Sequence, residues 1–335
     1  MDILITGGAG FIGSTVGSAL MELGHNVIVL DNFSTGRREF VTDRTVYEGD
    51  IADRSVVDRI FTEHPDVAVT IHCAASIVVP ESVAEPIRYY RNNVEGTLEL
   101  VDALLANGCQ RIIFSSSASI YAVREDFAVD EDCDIAPTSP YARTKAHVEG
   151  MLQDIAHGTD LKVLSLRYFN PIGADPKMRT GLQLEFPSHA MGKMIEAKNA
   201  GKPFTVTGVE WPTRDGSGIR DYIHVWDLAQ AHCRAVERFD DVVPGTDTES
   251  SYRVINLGTG DGTTVFELAD AFSRVSGEKL EVVTGPPRPG DVAGAFTRSS
   301  RAKDELGWVA EHSIDEGIAD TLKWFEVRGS VLKEF

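Results

Sequence analysis

The sequence predicts an α/β fold in which a doubly wound parallel sheet is joined to a smaller C-terminal α/β domain. Short runs rich in Val and Ile alternate with segments of helical period, and the runs lie at 3–6, 27–30, 67–72, 111–115 and 162–167. Strands that are apolar on both faces and alternate with helices form parallel sheets covered by helices on both sides. A glycine-rich turn directly after the first run is the typical start of a Rossmann domain.

The chain divides after Asn170, where Pro171, Gly173 and Pro176 interrupt the alternation. Since 335 residues are many for one compact core, we expect two units. The first, residues 1–170, is the dinucleotide-binding domain, and a later segment of about 219–258 returns to it. Residues 171–218 and 259–335 are expected to form the substrate-binding domain.

Composition excludes several classes of partner. The 51 acidic and 32 basic residues give a net charge of −19, which disfavours nucleic acid and anionic membrane surfaces. The four cysteines form no C-x-x-C pair, so we expect neither a metal site nor a disulfide framework. A reduced cytoplasmic protein fits this pattern, because the sequence also shows no signal peptide and no membrane-spanning run.

The turn after the first strand predicts a dinucleotide site. Gly7 permits the tight turn, Gly10 lets the backbone approach a pyrophosphate, and Gly13 allows close packing of the helix that Phe11 and Ile12 open. The phosphates then lie at a helix N-terminus, which favours negative charge. Asp31, at the end of the second strand, is placed for the adenosine ribose, and its charge disfavours a 2′-phosphate. The cofactor is therefore predicted to be NAD.

Two further features lie near that ribose. Asp50 and Ile51 form a second acidic strand end, which is placed to meet the adenine. A helix cap at Asp50 is the alternative. Arg37 and Arg38 follow Asp31 closely and soften the preference for NAD if they reach the ribose.

A catalytic constellation is predicted around Tyr141 and Lys145. Pro140 marks a helix start, so the two side chains lie one turn apart on one face. Ser117 lies in the hydroxyl-rich segment that follows the apolar run 111–115, and it reaches the same crevice at the carboxyl edge of the sheet. We expect the Lys145 ammonium and an oxidised nicotinamide to lower the pKa of Tyr141, which then acts as general base with Ser117 sharing the proton.

Several motifs occur in a fixed order along almost the whole chain. They are 6–13, Asn92-Asn93-Val94 with Gly96-Thr97, 115–121, 141–145, Arg167-Tyr168-Phe169-Asn170 and Arg220-Asp221-Tyr222-Ile223-His224-Val225. In this order they resemble the extended short-chain dehydrogenase/reductase family, most closely its UDP-glucose 4-epimerase branch. The resemblance implies an isomerase that inverts C4 of a UDP-hexose through a 4-keto intermediate, with NAD held permanently.

The resemblance also implies site residues. Contacts with NAD are implied for Gly7, Gly10, Phe11, Ile12, Gly13, Asp31, Asn32, Asp50, Ile51, Ala74, Ala75, Asn92, Ser115, Tyr141, Lys145 and Tyr168. Contacts with the UDP-sugar are implied for Ser117, Asn170, Arg220, Arg288, Asp291 and Ala295. Among these, the two arginines are the diphosphate clamps, because a planar fork of donors suits phosphate.

Three sites depart from the pattern of the branch, and a fourth, Ala295, bears on which sugar is accepted. Ile77, Ser188-His189 and Ala122 depart from residues usual in the branch. Ala295 stands where some relatives have a large Tyr, so the resemblance implies room for an N-acetyl group and activity on UDP-N-acetylhexosamines as well. It also implies a homodimer, paired through the helices at about 87–107 and from Tyr141.

The residues of the site also bear on three rival functions. A 4,6-dehydratase needs an Asp-Glu pair where this chain has Ala118 and Ser119, so that activity is disfavoured. A UDP-glucuronate 4-epimerase or decarboxylase, or another NAD-dependent nucleotide-sugar epimerase, stays open at this stage. A non-catalytic nucleotide sensor on the same fold is disfavoured by the intact Ser117, Tyr141 and Lys145.

Overall fold

The computed structural model describes residues 1–184, 187, 189–247, 249–287 and 291–333. The strands are β1 (Asp2–Thr6), β2 (Asn26–Asp31), β3 (Thr45–Glu48), β4 (Val67–His72), β5 (Arg111–Ser117), β6 (Ala128–Val129), β7 (Lys162–Tyr168), β8 (Asn170–Ile172), β9 (Phe204–Thr207), β10 (Ile219–His224), β11 (Tyr252–Leu257), β12 (Gly262–Thr264), β13 (Val282–Gly285) and β14 (Gly294–Thr297).

The α-helices alternate with the strands in the first half of the chain. They are α1 (Phe11–Glu22), α2 (Arg54–Glu63), α3 (Val79–Ala84), α4 (Pro86–Tyr90), α5 (Gly96–Ala106), α6 (Pro140–Gly158), α7 (Ala190–Ala200), α8 (Val225–Glu237), α9 (Phe239–Val242), α10 (Val265–Ser276) and α11 (Ile314–Leu332). A π-helical segment, Arg91–Glu95, joins α4 to α5.

The large sheet has seven strands in the order β11-β7-β5-β4-β1-β2-β3. Every neighbouring pair in it is parallel. Alternate residues of one strand face opposite cores: Ile3 and Ile5 of β1 belong to one buried cluster and Leu4 to the other. The predicted doubly wound fold is confirmed, and it brings the carboxyl ends of β1, β4 and β5 together at one edge.

In a smaller sheet the strands lie side by side in the order β12-β10-β14-β6, and β8 also pairs with β10. The segment expected to return to the first domain begins at 219, but β10 lies in this smaller sheet, and the return begins with α8. The physical reason is that β11 occupies the edge of the large sheet beside β7. β10 lies instead between β12 and β14, and its second half, Tyr222 to His224, pairs with β8.

Helix α6 is set by its own sequence. The Ser139 side chain accepts a hydrogen bond from the Ala142 N–H at 3.1 Å, and Pro140 occupies the first turn, which needs no amide proton there. The helix buries Val148 and Leu152 against the large sheet. Among the described residues, no helix is long and apolar enough to cross a membrane.

Candidate active site

The turn after β1 brings backbone elements unusually close. Gly7 has φ of 68°, and a Cβ there would lie 2.6 Å from the Ala74 amide nitrogen. A Cβ on Gly13 would lie 2.4 Å from the Gly7 carbonyl oxygen. Gly10 caps α1 without any side-chain hydrogen bond. The N-terminus of α1 therefore presents its amide groups beside a side-chain-free surface, which fits the pyrophosphate of a dinucleotide.

Asp31 stands beside this turn at the end of β2. Its carboxylate is 7% exposed and accepts hydrogen bonds from the Ala9 N–H at 2.9 Å and the Phe33 N–H at 2.8 Å. Burial raises its pKa, and the two hydrogen bonds act against that rise. A Cβ on Gly36 would lie 2.8 Å from one carboxylate oxygen, so the loop passes directly over Asp31. The group is fixed as a hydrogen-bond acceptor beside the turn.

The predicted adenine contacts lie on the next strand connection. Asp50 accepts a hydrogen bond from the Ala52 N–H at 2.9 Å, and the Asn32 amide approaches it at 3.4 Å. Asp50 thus closes its own turn and also faces Asn32. The alternative of a helix cap at Asp50 is wrong, because α2 begins at Arg54 and its cap is Asp53, which accepts from the Ser55 N–H. Arg38 forms an exposed ion pair with Glu48 at 2.6 Å.

Lys145 is buried at the carboxyl end of β5. Its ammonium donates to the Ser115 carbonyl oxygen at 2.7 Å and lies 4.8 Å from the centre of the Phe114 ring. Burial lowers its pKa to about 8, while the charge of Glu149 acts in the opposite direction. Below that pH the group keeps its positive charge inside the site.

Tyr141 and Ser117 meet in the same place. The Ser117 side chain acts to lower the pKa of Tyr141, but burial outweighs it and raises that pKa. The lowering of this pKa that we expect from Lys145 together with a bound nicotinamide stays a prediction, and the ammonium itself donates to the Ser115 carbonyl oxygen. Ser117 also donates to the Ser119 hydroxyl at 2.9 Å, which orients its oxygen.

Other predicted cofactor residues surround this triad. Tyr168 is buried, and burial raises its pKa while the Ser115 side chain acts in the opposite direction. Asn92 lies in the π-helical segment, a distortion common at functional sites, and donates to the Asn93 side chain at 2.9 Å. Ala74 lies against the Gly7 turn. The described geometry brings these residues to the edge where the nicotinamide is expected.

The predicted substrate residues converge from the smaller sheet. Asn170 pairs in register with Tyr222, and Ala295 pairs with Arg220. The Arg220 guanidinium donates to the carbonyl oxygens of Ile219 and Ala293, both at 2.7 Å. These contacts fix the side chain beside β14.

Two other predictions about the substrate site have different standing. Asp291 is half-buried and lies three residues before the start of β14 at Gly294. Arg288, the second predicted phosphate clamp, lies outside the described residues, as does Ser188.

Sequence reasoning missed Asn93, whose side chain ties three segments together. Its amide oxygen accepts from the Ser76 N–H at 2.8 Å, and its amide nitrogen donates to the Thr144 hydroxyl at 3.0 Å. Thr144 in turn donates to the Tyr141 carbonyl oxygen at 2.7 Å. Its place directly after Asn92 was the available signal, but only the fold reveals its partners.

Comparison with known proteins gives consistent matches. A model described as the NAD dependent epimerase/dehydratase family matches residues 3–258. The UDP-glucose 4-epimerase of Bacillus subtilis (strain 168) is 40% identical over 336 residues, covering 97% of this chain and 96% of that protein.

Solved structures agree. A UDP-glucose 4-epimerase from Stenotrophomonas maltophila, crystallised with NAD and formylated UDP-arabinopyranose, has a TM-score of 0.91 and 35% identity, covering 98% of this chain and 99% of that one. The UDP-Glc/GlcNAc 4-epimerase from Campylobacter jejuni has a TM-score of 0.80 and 31% identity, covering 97% and 99%.

The substitution Gly13→Ala tests the dinucleotide turn. Because the new Cβ would lie 2.4 Å from the Gly7 carbonyl oxygen, the turn must shift and NAD must be lost. We expect purified Gly13→Ala to contain far less NAD than the parent, measured in acid extracts. Gly150→Ala is the control, since nothing lies within 4 Å of its Cβ. Parental NAD content in Gly13→Ala would contradict the assignment.

Proposed function

The chain belongs to the NAD dependent epimerase/dehydratase family, and from that premise we propose that it interconverts the C4 epimers of a UDP-hexose, UDP-glucose and UDP-galactose. It is an isomerase of the UDP-glucose 4-epimerase type. The observation that carries this function is that the buried Lys145 and the half-buried Ser117 and Tyr141 lie together at the carboxyl end of β5, beside the Gly7 turn.

The described residues fit NAD along its length. The glycine turn and the N-terminus of α1 hold the pyrophosphate, Asp31 binds the adenosine ribose, and Asn32, Asp50 and Ile51 lie towards the adenine. When bound, NAD accepts a hydride from C4 of the sugar and returns it to the opposite face, and its positive ring favours phenolate at Tyr141.

The proton is handled by three side chains. Tyr141 removes the proton of the sugar 4-hydroxyl and later returns it to the oxygen of the 4-keto sugar. Ser117, whose side chain acts to lower the pKa of Tyr141, shares that proton. Lys145, held by the Ser115 carbonyl, supplies the positive charge of the site. Tyr168 and Asn92 pack and orient the cofactor from the sides.

The UDP group supplies binding energy remote from the reacting carbon, which holds the ketone while its sugar turns over. We assign Arg220 and Arg288 to its diphosphate, Asp291 to the uridine ribose and Asn170 to the sugar. The support is the strand register, which places Asn170 of β8, Arg220 of β10 and Ala295 of β14 on one face of the smaller sheet.

Acceptance of N-acetylated sugars is proposed from Ala295. This side chain packs against the small cluster of Ala118, Tyr121 and Val129, and Ala118 directly follows Ser117 in the chain. A methyl group here leaves space beside the reacting sugar. We therefore propose activity on UDP-N-acetylglucosamine and UDP-N-acetylgalactosamine as well.

A homodimer and a cytoplasmic location complete the proposal. Ile87 and Leu98 are 68% and 45% exposed on the face formed by α4, the π-helical segment and α5. Exposed apolar side chains on one face of adjoining helical segments favour a protein partner, and we propose a second copy of the chain. The four scattered cysteines, which are free thiols in the structure, support a reducing compartment.

Tyr141→Phe tests the general base. Without the phenol, turnover of UDP-galactose should fall about 10²–10⁴-fold, the usual contribution of general acid–base catalysis. NAD should remain bound, since the ring is retained. Tyr47→Phe, on β3 at the far edge of the sheet, is the matched control and should keep parental turnover. Turnover of Tyr141→Phe equal to the parent refutes the assignment.

Ala295→Tyr tests the sugar pocket. The ring should fill the space beside Ala118, so conversion of UDP-N-acetylglucosamine should fall about 10–200-fold, as steric discrimination in such pockets allows. Conversion of UDP-galactose should change far less, and Ala295→Ser should behave as the parent. Both rates are followed by NMR of the epimers. An equal loss for both sugars, or an inert parent on UDP-N-acetylglucosamine, contradicts the proposal.

Ile87→Asp/Leu98→Asp tests the dimer face. Two carboxylates in an apolar contact should convert the dimer to a monomer in light scattering after gel filtration. Val309→Asp, a 52% exposed position elsewhere, should leave the mass unchanged. A monomeric parent protein is the result that excludes the homodimer.

A further inference from the structure

A buried ion pair lies behind the catalytic triad, between α6 and β7. Arg167 donates to the two carboxylate oxygens of Glu149 at 2.9 Å and 2.6 Å, and both side chains are 5% exposed. A buried pair adds little net stability compared with well-packed apolar residues, whereas removing one partner is costly. What the pair specifies is therefore the geometry and charge of its surroundings.

The pair fixes where α6 sits on β5. Tyr141, Lys145 and Glu149 follow one another at intervals of one turn, so they form one stripe of the helix. Lys145 donates to the Ser115 carbonyl oxygen, and Glu149 accepts a hydrogen bond from the Ser116 hydroxyl. Two successive turns of α6 are thereby attached to two successive residues of β5, and the preceding turn places Tyr141 at Ser117.

Arg167 extends this attachment to the neighbouring strands. It lies opposite Ser116 in the β5–β7 register, so both side chains meet Glu149 from one face of the sheet. Its other nitrogen donates to the Tyr121 hydroxyl at 2.9 Å, and that hydroxyl donates to Asn256 on β11 at 2.6 Å. The network thus spans three strands and the loop that follows Ser117.

Glu149 also acts on the charge of Lys145. The titratable groups that interact with Lys145 are Glu149 from its own helix, His72 at the end of β4 and Cys73 directly after it. Burial lowers the pKa of His72 to about 3 and raises that of Cys73 to about 11, so both are neutral at pH 7. Glu149, itself faced by Arg167 and Tyr252, is the carboxylate whose charge favours the ammonium.

We propose that Glu149 and Arg167 are positioning residues for proton transfer at Tyr141, fixing α6 against β5 while Glu149 keeps the Lys145 ammonium charged. The inference deepens the proposed function and rests on it. Neither residue touches the sugar or the cofactor; both act through Lys145 and Tyr141.

The test uses a neutral pair, Glu149→Gln/Arg167→Gln, in the NAD-bound protein. It removes both charges together, so no uncompensated buried charge remains. The matched control is Glu305→Gln/Arg253→Gln, which removes the hydrogen-bonded ion pair between β11 and the segment Ala302–Leu306. Three quantities are measured for each: kcat and KM on UDP-galactose against pH, the melting temperature, and the titration of Lys145 by ¹⁵N NMR.

The sign of the pH effect follows from the charge. Loss of Glu149 lowers the pKa of Lys145 from about 8, so the ammonium is lost at lower pH. Glu149 and not Arg167 is among the charges that act on Lys145, so the double variant keeps this direction, and the alkaline limb of kcat and the Lys145 titration should both move to lower pH. KM should change little, and the control should lose stability without either pH shift. An unshifted Lys145 titration with an unshifted limb overturns the proposal.

Ser116→Ala keeps both charges and gives a milder probe of positioning. Losing one hydrogen bond to Glu149 should lower kcat several-fold with KM unchanged, while parental kcat contradicts the positioning claim. This variant decides the point if the neutral pair does not fold. If the parent protein converts no UDP-hexose, the proposed function fails, and the Lys145 titration still decides whether Glu149 governs its charge.

Discussion

The hydrogen bond from the Lys145 ammonium to the Ser115 carbonyl is the contact on which the site depends. A buried ammonium needs acceptors, and here the acceptor is the backbone of the central strand that ends in Ser117. The same bond therefore holds the charge of the site and attaches α6 to the sheet. Tyr141, one turn earlier, is placed by that attachment and by the Ser139 cap and Pro140 at the start of the helix.

The rest of the architecture supplies two binding surfaces around this contact. Because all seven strands of the large sheet are parallel, the Gly7 turn, the Cys73 segment and the Ser117 segment share one edge. The smaller sheet is attached there by β8, which follows β7 after one residue and pairs with β10. In the proposed function, a dinucleotide on the first surface and a UDP-sugar on the second would meet at Tyr141, which is the geometry that an epimerase with resident NAD requires.

Much of this arrangement could be predicted from the sequence, since it depends on local signals. Glycine spacing, the acid after β2 and the interval from Tyr141 to Lys145 are short-range patterns, and the sheet brings their members together as expected. The partners of Lys145 could not be predicted in this way. Its ammonium donates to a carbonyl oxygen 30 positions away, and no local pattern in the sequence indicates that contact.

Strand β10 and the residues Asn93, Glu149 and Arg167 show the same limit. The membership of β10 in the smaller sheet depends on which strand occupies the edge beside β7, a property of the whole topology. The buried pair joins residues on a helix and a strand whose sequence separation carries no spacing signal. The roles of the individual site residues remain predictions, each tied to a substitution.

The central claim is that the protein stores and returns hydride on one sugar carbon, using NAD that it already holds. It is tested most directly by incubating purified protein with UDP-galactose and no added cofactor, following both epimers by NMR and reduced NAD by absorbance. The account predicts conversion to an equilibrium mixture with UDP-glucose and no accumulation of reduced NAD. Absence of conversion, or an oxidised sugar formed together with reduced NAD, would contradict it.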